Sequence, residues 1–286
     1  MAVSSSMTSH SNNILDFTPP SLDSVEKALR LQKAYFDPVF YGLANVDKNR
    51  PALYVGNHTI YAMLDGPLIY LTLYQEKGIV LRSLGDHFHF ELPVWRNLLQ
   101  NSGVVEGTPE NCHRLMAAGE HILVYPGGGR EVAKRKGEQY QLAWKTRTGF
   151  ARMAMEHGYP IIPIASLGAD DTYDIHYDAY DFKASKLGQK LLANKRINKL
   201  LRNGDVFMPL STGIGFSPLP RPERFYFSFG EPIETKEFQD QANNKEAQWK
   251  VRKKVMDSLE AELDHLKTIR YKDRDLSFIR KMLSRH

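Results

Sequence analysis

Between Pro51 and Gly168 short apolar runs alternate with stretches patterned for helices, and this alternation limits the fold more than any other feature of the chain. "ALYV" reads as a strand, "LDGPLIYLTLYQ" as a helix, "GIVLRS" as a strand and "LPVWRNLLQ" as a helix. "GVVEG" is a short strand and "PENCHRLMAAG" a helix with Gly119 as its stop. "HILVYP" is a strand, "WKTRTGFARMAMEHG" a helix ended by Gly158, and "PIIPIASLG" a buried strand. Strands alternating with helices predict an α/β fold with a mostly parallel central sheet flanked by helices. In such sheets ligands bind at the carboxyl ends of the strands. His58 and the "PGGGRE" loop at 126–131 both follow strands, so the topology can bring them to one crevice.

Outside this region, residues 1–20 read as a flexible tail ending at Pro19-Pro20. An amphipathic N-terminal helix follows, with Leu22, Val25, Leu29, Tyr35 and Phe36 at helical spacing, stopped by Pro38. Residues 170–224 are less regular, with a Tyr/Asp-rich loop and a basic segment from Lys183 to Arg202. "RFYFSFGEPIE" is a strand and turn, and from Lys245 a long charged helix runs to a basic end. The expected organisation is a tail over 1–20, one domain over 21–240 and a charged helical extension over 241–286.

The chain of 286 residues, 42% hydrophobic and 25% charged, has the composition of a globular protein. Its net charge of +5 fits anionic partners such as lipid surfaces or coenzyme phosphates. A single cysteine, Cys112, excludes an internal disulfide and a Cys-rich zinc site, which fits a reducing compartment. The most apolar stretch, 60–74, is broken by Asp65, Gly66 and Pro67 and is too short to span a membrane. The first residues are polar and Ser-rich, without the pattern of a signal peptide. The expectation is a cytoplasmic protein, peripheral on a membrane if it meets one, with an amphipathic segment at each end as the contact. The basic loops match no nucleic-acid-binding motif, so no nucleic acid is expected.

Three groups of residues can carry chemistry. His58 is a side chain suited to proton transfer near neutral pH, and a neighbouring carboxylate would hold its tautomer. Six residues separate it from Asp65. A seven-residue step along one helix climbs about 10 Å, so the two meet only if the chain between them turns. Alone, His58 also fits a structural histidine. The glycines Gly127, Gly128 and Gly129 after a strand allow close backbone approach and offer N–H groups to an anion. Arg130, Lys134 and Arg135 follow, which suits a phosphate-bearing ligand; a tight turn with a solvated basic loop explains them as well. The loop is neither a P-loop nor a dinucleotide turn. His87 and His89 could ligate a metal with Asp86 or His58, but aromatic loop packing explains them better, and no metal is expected. No nucleophile elbow is present.

Taken in order, these segments resemble the PlsC-like glycerolipid and lysophospholipid acyltransferase superfamily, and within it the branch of diacylglycerol acyltransferase type 2 and the phytyl ester synthases. The first block of that family resembles Asn57, His58 and Asp65, and the second "SGVVEGTPENC". The third resembles Pro126 to Glu131, and the fourth "PIIPIA". "GFARMA" and "FGEPIE" are also similar to this branch. The family's usual spacing has four residues between histidine and aspartate, so Asp65 reaches His58 across a longer turn, or Asp86 or Glu131 replaces it. The arginine common in the second block has no counterpart, which shifts the acceptor towards neutral alcohols or lysolipids.

The resemblance implies transfer of a fatty acyl chain from an acyl thioester to a lipid hydroxyl. His58 is the implied base and Asp65 its partner. Asn57, Gly127, Gly128, Gly129, Arg130, Glu131, Lys134 and Arg135 are the implied donor and substrate contacts. No cofactor is implied beyond acyl-CoA or acyl-ACP as co-substrate. The other reading is a non-catalytic lipid-binding protein of the membrane surface that keeps the scaffold.

Overall fold

The computed structural model describes residues 14–91, 93–276 and 278–284. Nine strands form among the described residues: β1 (Val39–Tyr41), β2 (Leu53–Gly56), β3 (Arg82–Gly85), β4 (Val104–Glu106), β5 (Ile122–Val124), β6 (Ile161–Leu167), β7 (Asp174–Tyr177), β8 (Leu210–Thr212) and β9 (Tyr226–Phe229). Seven of them make the central sheet, in the order β1-β9-β6-β2-β5-β3-β4. The run from β6 to β4 is parallel, β9 lies antiparallel to β6, and β1 is parallel to β9. The expected mostly parallel sheet is therefore present. β7 and β8 pair separately as a small antiparallel sheet.

Both faces of the sheet are covered, which is why β2 and β6 read as unbroken apolar runs. Leu53 and Val55 point into one core, with α5 (Pro109–Ala117), α7 (Gly149–His157) and α11 (Lys245–Lys272). Tyr54, between them, points into the other, with α2 (Gly66–Lys77) and the aromatic rings of Phe36, Phe225, Phe227 and Phe229. Phe36 closes α1 (Leu22–Phe36) and stacks on Phe225 at 4.1 Å between ring centres. α1 thus packs on the domain, with Val25 and Phe36 buried and Leu31 exposed.

Three expectations change. The helix expected from Trp144 begins only at Gly149, because Trp144 is buried in the core and Lys145 takes a left-handed conformation with φ 49°. The C-terminal helix is not an extension beside the domain. Val251, Val255, Leu259, Leu263 and Leu266 of α11 are buried in the first core, so its apolar stripe completes the cover of the sheet. Of the tail expected over 1–20, residues 1–13 lie outside the described residues. Ile14 accepts a hydrogen bond from the buried Arg82 guanidinium at 2.8 Å, and the Phe17 ring lies under the same group. Among the described residues no helix is long and apolar enough to cross a membrane.

Candidate active site

The carboxyl ends of β2, β5, β3 and β6 deliver His58, the glycine loop, Asp86 and Asp170 to one edge of the sheet. Asn57 is buried, and its amide both donates to the Ser166 carbonyl (2.9 Å) and accepts from the Ser166 N–H (2.8 Å). This two-way bond ties the end of β2 to β6 and fixes where the next residue, His58, begins. The imidazole stacks flat on Tyr125, with ring centres 4.1 Å apart and planes 6° apart. Gly56 makes room for that ring, since a Cβ there would stand 2.8 Å from Tyr125 Cε1.

The longer path from His58 to Asp65 is a turn. Ile60–Ala62 is a single 3-10 turn in which Tyr61 (φ 61°) and Ala62 (φ 58°) are both left-handed. Strain of this kind in non-glycine residues persists only where the surroundings impose it. Here Tyr61 Oη donates to the Pro209 carbonyl (2.9 Å) and shares a hydrogen bond with Ser211 Oγ (2.6 Å). Asp65 closes the turn: its Oδ1 accepts from Thr59 Oγ1 (2.9 Å) and from the Gly66 N–H (3.0 Å) that opens α2. Asp65 Oδ2 and Tyr125 Oη are buried, and the Ser166 hydroxyl lies close enough to the Asp65 carboxylate to offset part of the effect of burial on it. Burial raises the Asp65 carboxyl above the ordinary aspartate value, and the Asp65 charge adds to the burial that raises the Tyr125 hydroxyl.

The carboxylate that grips the His58 main chain is Glu131, from the glycine loop. Its Oε2 accepts the His58 N–H (3.1 Å) and its Oε1 the Ala143 N–H (2.8 Å). Glu131 is 1% exposed, and burial pushes its carboxyl up to about 7 despite the nearby Lys134. Gly127 makes this possible: a Cβ on it would stand 2.0 Å from Glu131 Cδ. Glu131 lies within the short helix α6 (Gly129–Val132), and the Gly128 N–H donates to the Tyr125 carbonyl at 3.0 Å. Arg147 braces the loop from outside by donating to the Pro126 and Gly127 carbonyls.

The cations after the loop face inward. Lys134 is 2% exposed and pairs with Asp170 at 3.2 Å. Arg135 pairs with Asp205 at 3.0 Å and lies over the Tyr180 ring, and Arg130 pairs with Glu138. The basic run, which in sequence suits a phosphate-bearing ligand and a solvated loop equally, is a set of largely buried ion pairs, because carboxylates distant in sequence reach it. Lys134 and Arg135 are thus both held by carboxylates of the fold.

Sequence reasoning passed over Asp170, which organises the site. Its Oδ1 accepts the Ile60 N–H (2.8 Å), and its Oδ2 the Tyr140 N–H (2.9 Å) and the Lys134 ammonium. One buried carboxylate thus joins the turn after His58 to the loop after Glu131. The only hint in the sequence was its position just past the "PIIPIASLG" strand. Asp86 pairs with Arg202 (2.7 Å), and His87 Nδ1 bonds Glu106 Oε1 (2.6 Å). The His89 side chain lies outside the described residues. Among the described residues no three groups converge as metal ligands.

Residues 37–167 match the family profile described as Acyltransferase. The chain is 31% identical over 256 residues to phytyl ester synthase 2 of Arabidopsis thaliana, covering 86% of this chain and 36% of that protein. It is 29% identical over 290 residues to phytyl ester synthase 1 of the same plant, covering 91% and 40%. A shorter match, 31% over 124 residues, covers 43% of this chain and 38% of the human "DGAT1/2-independent enzyme synthesizing storage lipids". Among solved structures, the 1-acyl-sn-glycerophosphate acyltransferase PlsC of Thermotoga maritima aligns with a TM-score of 0.47 at 17% identity, over 86% of this chain and 79% of that one. The chain spans 36% and 40% of the length of the two plant relatives. With the acyltransferase blocks falling on the residues that meet at the strand ends, the chain belongs to the PlsC-like acyltransferase superfamily, near the branch of diacylglycerol acyltransferase type 2 and the phytyl ester synthases.

Proposed function

We propose that this chain transfers a fatty acyl group from an acyl thioester to the hydroxyl of a lipid alcohol or lysolipid, with His58 as general base. The observation that carries this reading is Glu131: one buried carboxylate locks the His58 main chain to the glycine loop, so base and loop form one rigid unit.

In this mechanism the imidazole takes the hydroxyl proton as the acceptor oxygen attacks the thioester carbonyl. The tetrahedral intermediate collapses with cleavage of the C–S bond, and the imidazolium returns the proton to the leaving thiolate. Because the Gly128 N–H is committed to Tyr125, the N–H groups of Gly127 and Gly129 are the ones assigned to the developing oxyanion. Asp65 is assigned to the imidazole once the acceptor is bound. Its carboxylate is buried at the end of the turn that starts from His58, and catalytic hydrogen bonds often tighten only in the substrate complex. Lys134 and Arg135 hold the loop, and the donor's phosphates, of acyl-CoA or acyl-ACP, fall to the half-exposed Arg202 at the rim. The relatives whose names describe phytyl ester and storage-lipid synthesis support a neutral lipid acceptor.

The test is incubation with mixed acyl thioesters and a lipid extract, read by thiol release and lipid mass spectrometry. Wild type forms a new ester; His58→Ala keeps its thermal melt and loses the ester by a factor of about 100 or more, the range of general-base catalysis. No thiol release with any donor and acceptor, or undiminished transfer by His58→Ala, overturns the reading. Persistent lipid binding without transfer would instead favour the non-catalytic alternative.

A further inference from the structure

Between β7 and β9 the chain leaves the central sheet, forming α8 (Ala179–Ala184), α9 (Lys186–Ala193), α10 (Lys195–Leu200) and β8. The stretch that follows α10 runs along the strand ends that carry the site. Arg202 pairs with Asp86 after β3, and Val206 Cγ1 would stand 3.3 Å from a Cβ on Gly129 after β5. Pro209 and Ser211 then bond Tyr61 after β2. Residues 202–211 thus cross the ends of three neighbouring strands in their sheet order.

This excursion holds an unusual share of the exposed apolar surface. Leu187, Leu200, Leu210, Phe216 and Leu219 are 65%, 52%, 62%, 85% and 62% exposed. Phe216 sits in a 3-10 turn with φ 63°, a left-handed conformation, next to Gly215. The charge is one-sided: residues 186–204 contain six Lys/Arg and no Asp/Glu. Lys186, Lys190, Lys195, Arg196 and Lys199 are exposed, and among the described residues no carboxylate pairs with them.

We infer that the 173–222 excursion docks the protein on an anionic lipid bilayer, with Phe216, Leu210 and Leu219 entering the acyl boundary and the lysines of α9 and α10 meeting the headgroups. Separate exposed apolar side chains and unpaired cations carried on one excursion of the chain suit a fluid anionic surface, which moulds around each of them. They suit a folded acidic protein less well, since that would need a continuous groove. α1 and α11 bury their apolar faces on the domain, so membrane contact moves from the two ends of the chain to this face. Docking here would open the crevice towards the bilayer. The binding itself does not depend on the acyl-transfer reading.

The test is co-sedimentation of the full chain with phosphatidylcholine vesicles with or without 30% phosphatidylglycerol, at low and high salt. Wild type is expected to bind the anionic vesicles and to lose at least tenfold in partitioning when salt screens the lysines. Phe216→Ser/Leu219→Ser and, separately, Lys190→Glu/Lys195→Glu/Lys199→Glu should each weaken binding at least tenfold while keeping the wild-type thermal melt and thiol release with a soluble alcohol. Absence of wild-type binding, or variants that bind like wild type, overturns the inference. So does binding to an acidic carrier protein but not to vesicles, which makes the face a protein-docking surface.

Discussion

Glu131→Gln tests the link between the glycine loop and His58 most directly. Glu131 accepts two main-chain N–H groups, one on each oxygen. Glutamine offers one acceptor and one donor in the same shape, so either the His58 or the Ala143 N–H meets an NH2 group. An unsatisfied buried donor costs about 1–3 kcal/mol. The pH dependence is more distinctive. Burial raises the Glu131 carboxyl from 4.5 to about 7, so the folded state holds its proton more tightly than the unfolded state. That contribution is complete below the unfolded value and is lost as pH rises through the folded one. Its full size is about 3 kcal/mol, of which about 2 kcal/mol disappears between pH 5 and pH 8. Glutamine does not titrate, so the stability gap between wild type and variant should be wider at pH 5 than at pH 8 by about 2 kcal/mol. Urea unfolding followed by tryptophan fluorescence at the two pH values reads this, and buried Asp65 and Asp170, present in both proteins, largely cancel. A gap that is equal at both pH values, or wider at pH 8, refutes the reasoning.

Gly127→Ala should act on the same contact from the other side, because its Cβ would occupy the Glu131 carboxylate position. Expulsion of that carboxylate leaves two buried N–H groups unpaired, a loss of about 2–5 kcal/mol in chemical denaturation, with acyl transfer falling further than His58 occupancy alone explains. Lys134→Met strands the buried Asp170 and should cost about 3–5 kcal/mol, read by chemical denaturation. Hydrogen bonds and charge from Lys145 and Lys183 hold the Asp205 carboxyl below its ordinary 3.8. Asp205→Asn should therefore be less stable than wild type at neutral pH, and acid titration of the melt should show the gap closing as pH falls below 3.8.

The sheet was legible because strand and helix periods are local. Alternation of the two from Pro51 to Gly168, with burial on both faces, gave the strands, their parallel run and the edge at which His58 and the 126–131 loop meet. The helix at 144 failed because tertiary packing of Trp144 overrode a helical pattern.

The sequence by itself determined that a histidine and a glycine loop follow strands of a mostly parallel sheet and so lie towards one edge of it, whereas the pairing of β2 with β5 that makes them neighbours came from the tertiary structure. Which carboxylate holds the histidine's main chain was decided only by tertiary structure: Glu131 lies 73 residues along the chain from His58. The same holds for the cations after the loop. A run of Lys and Arg suits a phosphate-bearing ligand and a solvated loop equally until Asp170 and, 70 residues from Arg135, Asp205 come to pair with it. Local pattern records which face of a helix or strand is apolar. The partners of charged groups are set by Coulomb and hydrogen-bond contacts across the fold, and these leave no period in the sequence.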